Sequence, residues 1–237
     1  MNKVIAGAVA GLALGAFSAV SALDLSAGGG AFFTSDFGGG MEGKFSGTMY
    51  PISIEGAYDL KTSFIGGGLY GFFDVTYAEI SLGFIGAEVR WDESTEVSVM
   101  GQTESEKGKD TCGFAGLSLG LLLKYPIAVS DIITVFPAAG IDYQLILWDN
   151  VKFLWGDDSP GNWNAPIFKF GAGIDIALGE KIFLRSDLLY GIRLANKVEK
   201  DDLENQLKTL PGSFDIKDDK TRLANEVTFK FGIGCKF

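Results

Sequence analysis

The chain has 237 residues, a formal charge of −10 and no histidine. It is rich in glycine, with 33 residues, and its mean hydropathy of +0.21 is high for a chain with no long apolar stretch beyond the amino terminus. The acidic balance argues against nucleic acid as a partner, and the missing histidine removes the commonest general base.

The amino terminus reads as a secretory signal. Asn2-Lys3 is a short basic start, Val4 to Ala19 an apolar core, and Val20-Ser21-Ala22 a small-residue cleavage site. Residues 1–22 are therefore expected to be a signal peptide, and 23–237 a single mature domain.

The mature chain is dominated by period-two alternation, the mark of strands with two unlike faces. Strand one is expected at 23–34, with Leu25, Ala27, Ala31 and Phe33 on one face and Asp24, Ser26 and Thr34 on the other. Strand two, 62–73, is so rich in glycine that its facing is open. Strand three starts at Tyr77, and its phase slips near Gly86-Ala87, which predicts a bulge. Strand four is 113–125, strand five 132–148 and strand six 166–178. Strand seven is 182–194, and the last strand closes the chain on Phe237. Pro137 falls inside strand five and predicts a bulge, a local break or a shorter strand there.

The connections alternate in length. Residues 74–76, 126–131 and 179–181 are short; 35–61, 92–112, 149–165 and 195–224 are long. The long segments carry −2, −4, −2 and −1, so almost all of the net charge lies in them. Within 197–210, Leu203, Leu207 and Leu210 recur at helical spacing before Pro211-Gly212, which predicts a short amphipathic helix.

From Val227 to Phe237 every odd position is apolar, and the even positions hold Thr228, Lys230, Gly232, Gly234 and Lys236. This strand, ending on an aromatic, together with the signal peptide and the rhythm of strands and loops, resembles the small outer-membrane β-barrels of the OmpX, OmpW and OmpA-transmembrane kind. The resemblance covers the whole mature chain and is architectural, since no motif singles out a subfamily. It implies an all-β fold: a transmembrane antiparallel up-and-down barrel of eight strands, with short periplasmic turns and long external loops. It also implies residence in the outer membrane of a double-membraned bacterium, contact with lipid and lipopolysaccharide-like lipids, and a role for Phe237 as a signal to the barrel-assembly machinery. The rival architecture is a soluble lipocalin-type barrel with apolar residues inside. Aromatics near strand ends (Tyr77, Trp91, Tyr125, Trp148, Phe168, Phe237) favour lipid outside.

On this reading the polar faces line a narrow lumen, where charges must pair. The candidates are Asp24, Glu79, Asp142, Asp175 and Asp187 against Lys124, Lys169, Arg185, Arg193, Lys230 and Lys236. The turn at 179–181 places Asp175 opposite Arg185, and Lys230 is expected near Asp187. Cys112 and Cys235 fall at opposite rims, too far apart for a disulfide.

No enzyme is expected, because the barrel enzymes of such membranes depend on a histidine. No cofactor or metal is expected either. Asp157-Asp158, Asp201-Asp202 and Asp218-Asp219 lack calcium-loop spacing and read as solvated acids. Two functions stay open. One is a structural or interaction protein, a closed barrel presenting acidic loops for adhesion, host contact or envelope integrity, with the loops open to an extracellular ligand. The other is a narrow channel, or a conduit for small hydrophobic molecules lined by Phe37, Met41, Phe45, Met49, Tyr50, Ile52, Ile54, Trp155 and Trp163.

Overall fold

Alternation in the sequence becomes one continuous antiparallel sheet in the computed structural model, which describes residues 24–49, 52–149, 165–194 and 213–237. The strands are β1 (Leu25–Met49), β2 (Ile52–Val75), β3 (Ala78–Val99), β4 (Gln102–Lys124) and β5 (Ile127–Ala128). They continue as β6 (Ile133–Asp149), β7 (Ala165–Ala177), β8 (Ile182–Arg193), β9 (Ser213–Arg222) and β10 (Ala224–Lys236). Each main strand pairs with its sequence neighbour, and β10 pairs with both β8 and β1. The strand order therefore returns on itself as a ring.

Ten strands are described where eight were expected. The two additions have simple origins. β5 is a two-residue stub that pairs with β6 inside the 126–131 connection. β9 comes from the expected loop 195–224, and only Leu223 separates it from β10. Both β9 and β10 lie along β1, β10 on its first half and β9 on its second.

The expected long connections 35–61 and 92–112 are mostly strand. β1 and β2 stay paired up to Met49 and Ile52, and β3 and β4 up to Val99 and Gln102. Past Asp36 the first hairpin adds about 40 Å of strand, at about 3.3 Å per residue. The second closes in a two-residue turn at Met100-Gly101, both with positive φ, as a tight hairpin requires.

No bulge occurs at Gly86-Ala87, because β3 keeps one register with β2 and β4 along its whole length. The apparent phase slip has another cause. Ile85, Val89 and Trp91 stay on the inner face, which simply becomes apolar there. The register shifts instead lie at Asp36/Gly39 in β1, at Glu42/Lys44 between β1 and β9, and at Ala115/Gly116 between β4 and β6. Pro137 sits within β6, which holds its register with β7 through it. On its other side the ladder breaks between β4 and β5 at Tyr125-Pro126, so the missing N–H faces the break. The Pro137 carbonyl accepts from the Tyr125 N–H at 3.1 Å.

Burial sorts the two faces. The inner face of β2 carries Phe64, Tyr70, Phe72 and Asp74, which resolves the facing of this glycine-rich strand. The outer face carries exposed apolar side chains all round the ring, with Leu69 70% and Ile80 61% exposed. Leu123, Phe170, Leu188 and Phe231 continue this belt on other strands.

Several expectations lie outside the described residues. These are the signal peptide 1–22, the helix in 197–210, Tyr50, Trp155 and Trp163, and the pairs Asp157-Asp158 and Asp201-Asp202. The side chains of Met41, Met49, Asp218 and Asp219 are likewise not described.

Candidate functional site: the charged interior of the ring

The interior is built in layers, starting from the end that holds the short turns and the last residue. The first layer centres on Arg185, which is 1% exposed. Its position follows from β8 alternation: Phe183, Arg185, Asp187 and Leu189 all point inward. The register sets Asp175 opposite Arg185, and their side chains form a bidentate pair, Nε to Oδ1 and Nη2 to Oδ2, both 2.7 Å. Arg185 also reaches across the ring, Nη1 to Glu79 Oε2 at 2.8 Å and Nη2 to Asp74 Oδ2 at 2.8 Å. Lys124 pairs with Asp74, and Lys230 Nζ lies 3.8 Å from Glu79 Oε1. The rings of Phe72, Phe183 and Phe136 surround the guanidinium with centroids at 4.6, 5.1 and 5.2 Å. Aromatic faces and three carboxylates together satisfy a charge that would otherwise be costly to bury.

The second layer centres on Lys169. Its ammonium lies 2.5 Å from Asp142 Oδ2 and 2.8 Å from Glu226 Oε1, and donates to Thr228 Oγ1 at 3.0 Å. Thr228 is 3.1 Å from Thr34 across the β1–β10 seam. Arg193 extends the layer. It donates to Asp36 Oδ2 at 2.9 Å and to Gln144 Oε1 at 2.6 Å, and lies 3.3 Å from Glu226 Oε2.

Between the two layers the free space is about 10 Å³, bounded by residues including Tyr70, Ser81, Asp142, Lys169 and Lys230. That is roughly one water molecule. Above the second layer, Phe64, Ile85, Val89, Trp91, Cys112, Phe114 and Ile146 form an apolar plug. At the level of Trp91 a cleft of about 680 Å³ is lined by residues of both faces, among them Thr62, Asp110, Lys61 and Arg222.

The structure thus brings together Glu79, Lys124, Asp175, Arg185 and Lys230 in one layer, and Asp142, Lys169 and Arg193 in the other. Lys230 stands opposite Asp187 in register, but its ammonium is the one near Glu79, and both Asp187 carboxylate oxygens lack a hydrogen-bond partner among the described residues. Asp24 and Lys236 do not join the interior: both are exposed at the rim. Cys112 is buried and Cys235 exposed, and the two are not bridged to each other. Sequence reasoning missed Asp36, Asp74 and Glu226. The signal for Glu226 was present, since it continues the even-numbered face of Thr228 and Lys230. Asp36 and Asp74 fall in the expected connections 35–61 and 74–76, although each is an even step from an inward neighbour, Thr34 and Phe72.

No family model matches the chain, and no curated sequence does either. Among solved structures, OprG, an outer-membrane protein of Pseudomonas aeruginosa, is similar at 14% identity and a TM-score of 0.41, covering 91% of this chain and 96% of that one. The outer-membrane protease OmpT of Escherichia coli is similar at 7% identity and a TM-score of 0.30, covering 92% and 99%. The translocator domain of the autotransporter NalP of Neisseria meningitidis is similar at 11% identity and a TM-score of 0.25, covering 100% and 98%. Likenesses at these scores carry no weight for function, which rests on the register and burial described above.

Proposed function

We propose that the chain is an integral outer-membrane β-barrel whose ring of strands spans the bilayer. On this reading its lumen is closed by ion pairs and an apolar plug, and its long hairpins present a charged surface outside. One observation carries this reading: the molecule is inside out for water. Charged groups such as Glu226 and Arg185 are at most 1% exposed, while a belt of Leu, Ile and Phe faces outward. A continuous exposed apolar belt is unstable in water and favourable in lipid. On β2 the belt runs from Val75 to Ile65, about 33 Å along the strand, or about 25 Å of height once strands tilt. That matches the apolar band of outer-membrane barrels. The signal-like amino terminus and the terminal Phe237 support the same location.

The closed-lumen reading over the channel is favoured by the space of about 10 Å³ between the charged layers. The surface-presenting role is supported by the two hairpin extensions, in which Gln102 to Thr111 of β4 are all exposed. The reading includes no catalytic step.

Two measurements test it. Fractionated cells should yield the mature protein only with detergent, and a protein soluble in the periplasm refutes the membrane reading. In planar bilayers the folded protein should give no steady single-channel current. A stable conductance would restore the channel reading.

A further inference from the structure

The interior of the ring does not balance its own charge. Among the described residues Asp36, Asp74, Glu79, Asp142, Asp187 and Glu226 are buried, against Lys124, Lys169, Arg185 and Lys230. Six buried carboxylates thus face four buried cations, an excess of two negative charges where uncompensated charge is costly. Asp175 and Arg193, both partly exposed, add one charge of each sign and leave the excess unchanged. The unmet hydrogen bonds point the same way. Among the described residues the buried side-chain atoms without a partner are six carboxylate oxygens and the Tyr70 hydroxyl, and no nitrogen is among them. What the interior lacks is positive charge.

We infer that the interior holds one monovalent alkali cation, bound at the Asp187 carboxylate. Asp187 is 2% exposed, and among the described residues it alone has both carboxylate oxygens buried without a partner. Its register neighbour Lys230 turns elsewhere: the ammonium lies 3.8 Å from Glu79 Oε1 and 5.3 Å from the centre of the Tyr70 ring. On the other side Asp187 stands opposite Gly173, where a Cβ would come within 2.2 Å of its Oδ1 and 2.4 Å of the Phe136 ring. The carboxylate therefore lies over bare backbone beside an aromatic ring, whose face can share in holding a cation.

The surroundings set size and valence. The free space between the layers, bordered by Tyr70 and Lys230, is about 10 Å³, so an ion enters without its water shell. A divalent ion of this kind takes six or more oxygens. Among the described residues no group of three acidic side chains is placed to hold one. A monovalent ion makes the smaller demand and halves the excess charge. The inference needs a closed ring and does not depend on the membrane reading.

The test is the urea-induced unfolding of the full mature protein in detergent micelles. Sodium or potassium chloride is raised against tetramethylammonium chloride at one pH and constant ionic strength, the organic cation being too large for the interior. Above the dissociation constant, each tenfold rise in sodium or potassium should raise the folded-to-unfolded ratio about tenfold. Asp187→Asn should lose this dependence, and Asp110→Asn on the exposed hairpin should keep it. Crystals grown in rubidium chloride should show anomalous scattering beside the Asp187 carboxylate. A ratio indifferent to the cation overturns the proposal and assigns the excess charge to bound protons. A dependence that survives in Asp187→Asn overturns the site, as do anomalous peaks at the surface alone, which mean an adventitious ion only. Each of these results leaves the membrane reading intact.

Discussion

Replacing Arg185 by methionine removes the charge at the centre of the first layer and keeps an unbranched chain among Phe72, Phe136 and Phe183. Among the described residues it leaves Asp175 with no cation partner, Glu79 with only Lys230 at 3.8 Å, and Asp74 with only Lys124. Asp175 can swing toward solvent because its side chain is already 18% exposed, but Glu79 at 1% cannot. Breaking a buried pair by removing one partner costs about 3–5 kcal/mol, much of it the stranded charge. Arg185 is buried, so no discount for solvent screening applies. The loss should therefore be about 3–5 kcal/mol. Adding Glu79→Gln to the variant should recover part of it, because the stranded carboxylate is then neutral. The assay is urea-induced unfolding in lipid vesicles, followed by heat-modifiable gel mobility and tryptophan fluorescence. Arg90→Met, at an exposed pair with Glu88, is the control and should cost no more than about 1 kcal/mol. If Arg185→Met costs no more than the control, the interior network is not what holds the ring, and the argument from buried charge fails.

Three further outcomes follow from the same geometry. A Cβ at Gly173 would run into the Phe136 ring and Asp187, so Gly173→Leu should lower the folded fraction on heat-modifiable gels, whereas Gly86→Ala, in open space, should not. In folded protein a maleimide should modify Cys235 and spare Cys112 until denaturant is added, and mass spectrometry reads one adduct or two. Phe237 is 78% exposed and makes little packing contact, so Phe237→Ala should leave the stability of folded protein within about 0.5 kcal/mol while reducing the fraction assembled in cells.

Alternation by itself determined much of this protein. It marked the strands around the ring, told the two faces apart, and left only one connection length between Asp175 and Arg185, so that their register pairing could be read locally. The reason is that strand facing and hairpin register are short-range properties. The extended hairpins were not legible, because 35–61 and 92–112 lie beyond the belt. Their strands have no long apolar face to reveal them, and polar alternation looks like a loop. The inner face of β3 is hidden for another reason: beyond Phe84 the apolar side chains pass to the inward positions Ile85, Val89 and Trp91 while Glu88 and Arg90 point outward, so the oily phase changes with no change of register. The partners across the lumen were beyond any sequence reading. Arg185 meets Asp74 and Glu79, and Lys169 meets Glu226, only because the ring closes. Which carboxylate reaches which cation is set by the diameter of that closure and by aromatic rings from three different strands around Arg185, and neither leaves a mark on the local pattern of residues.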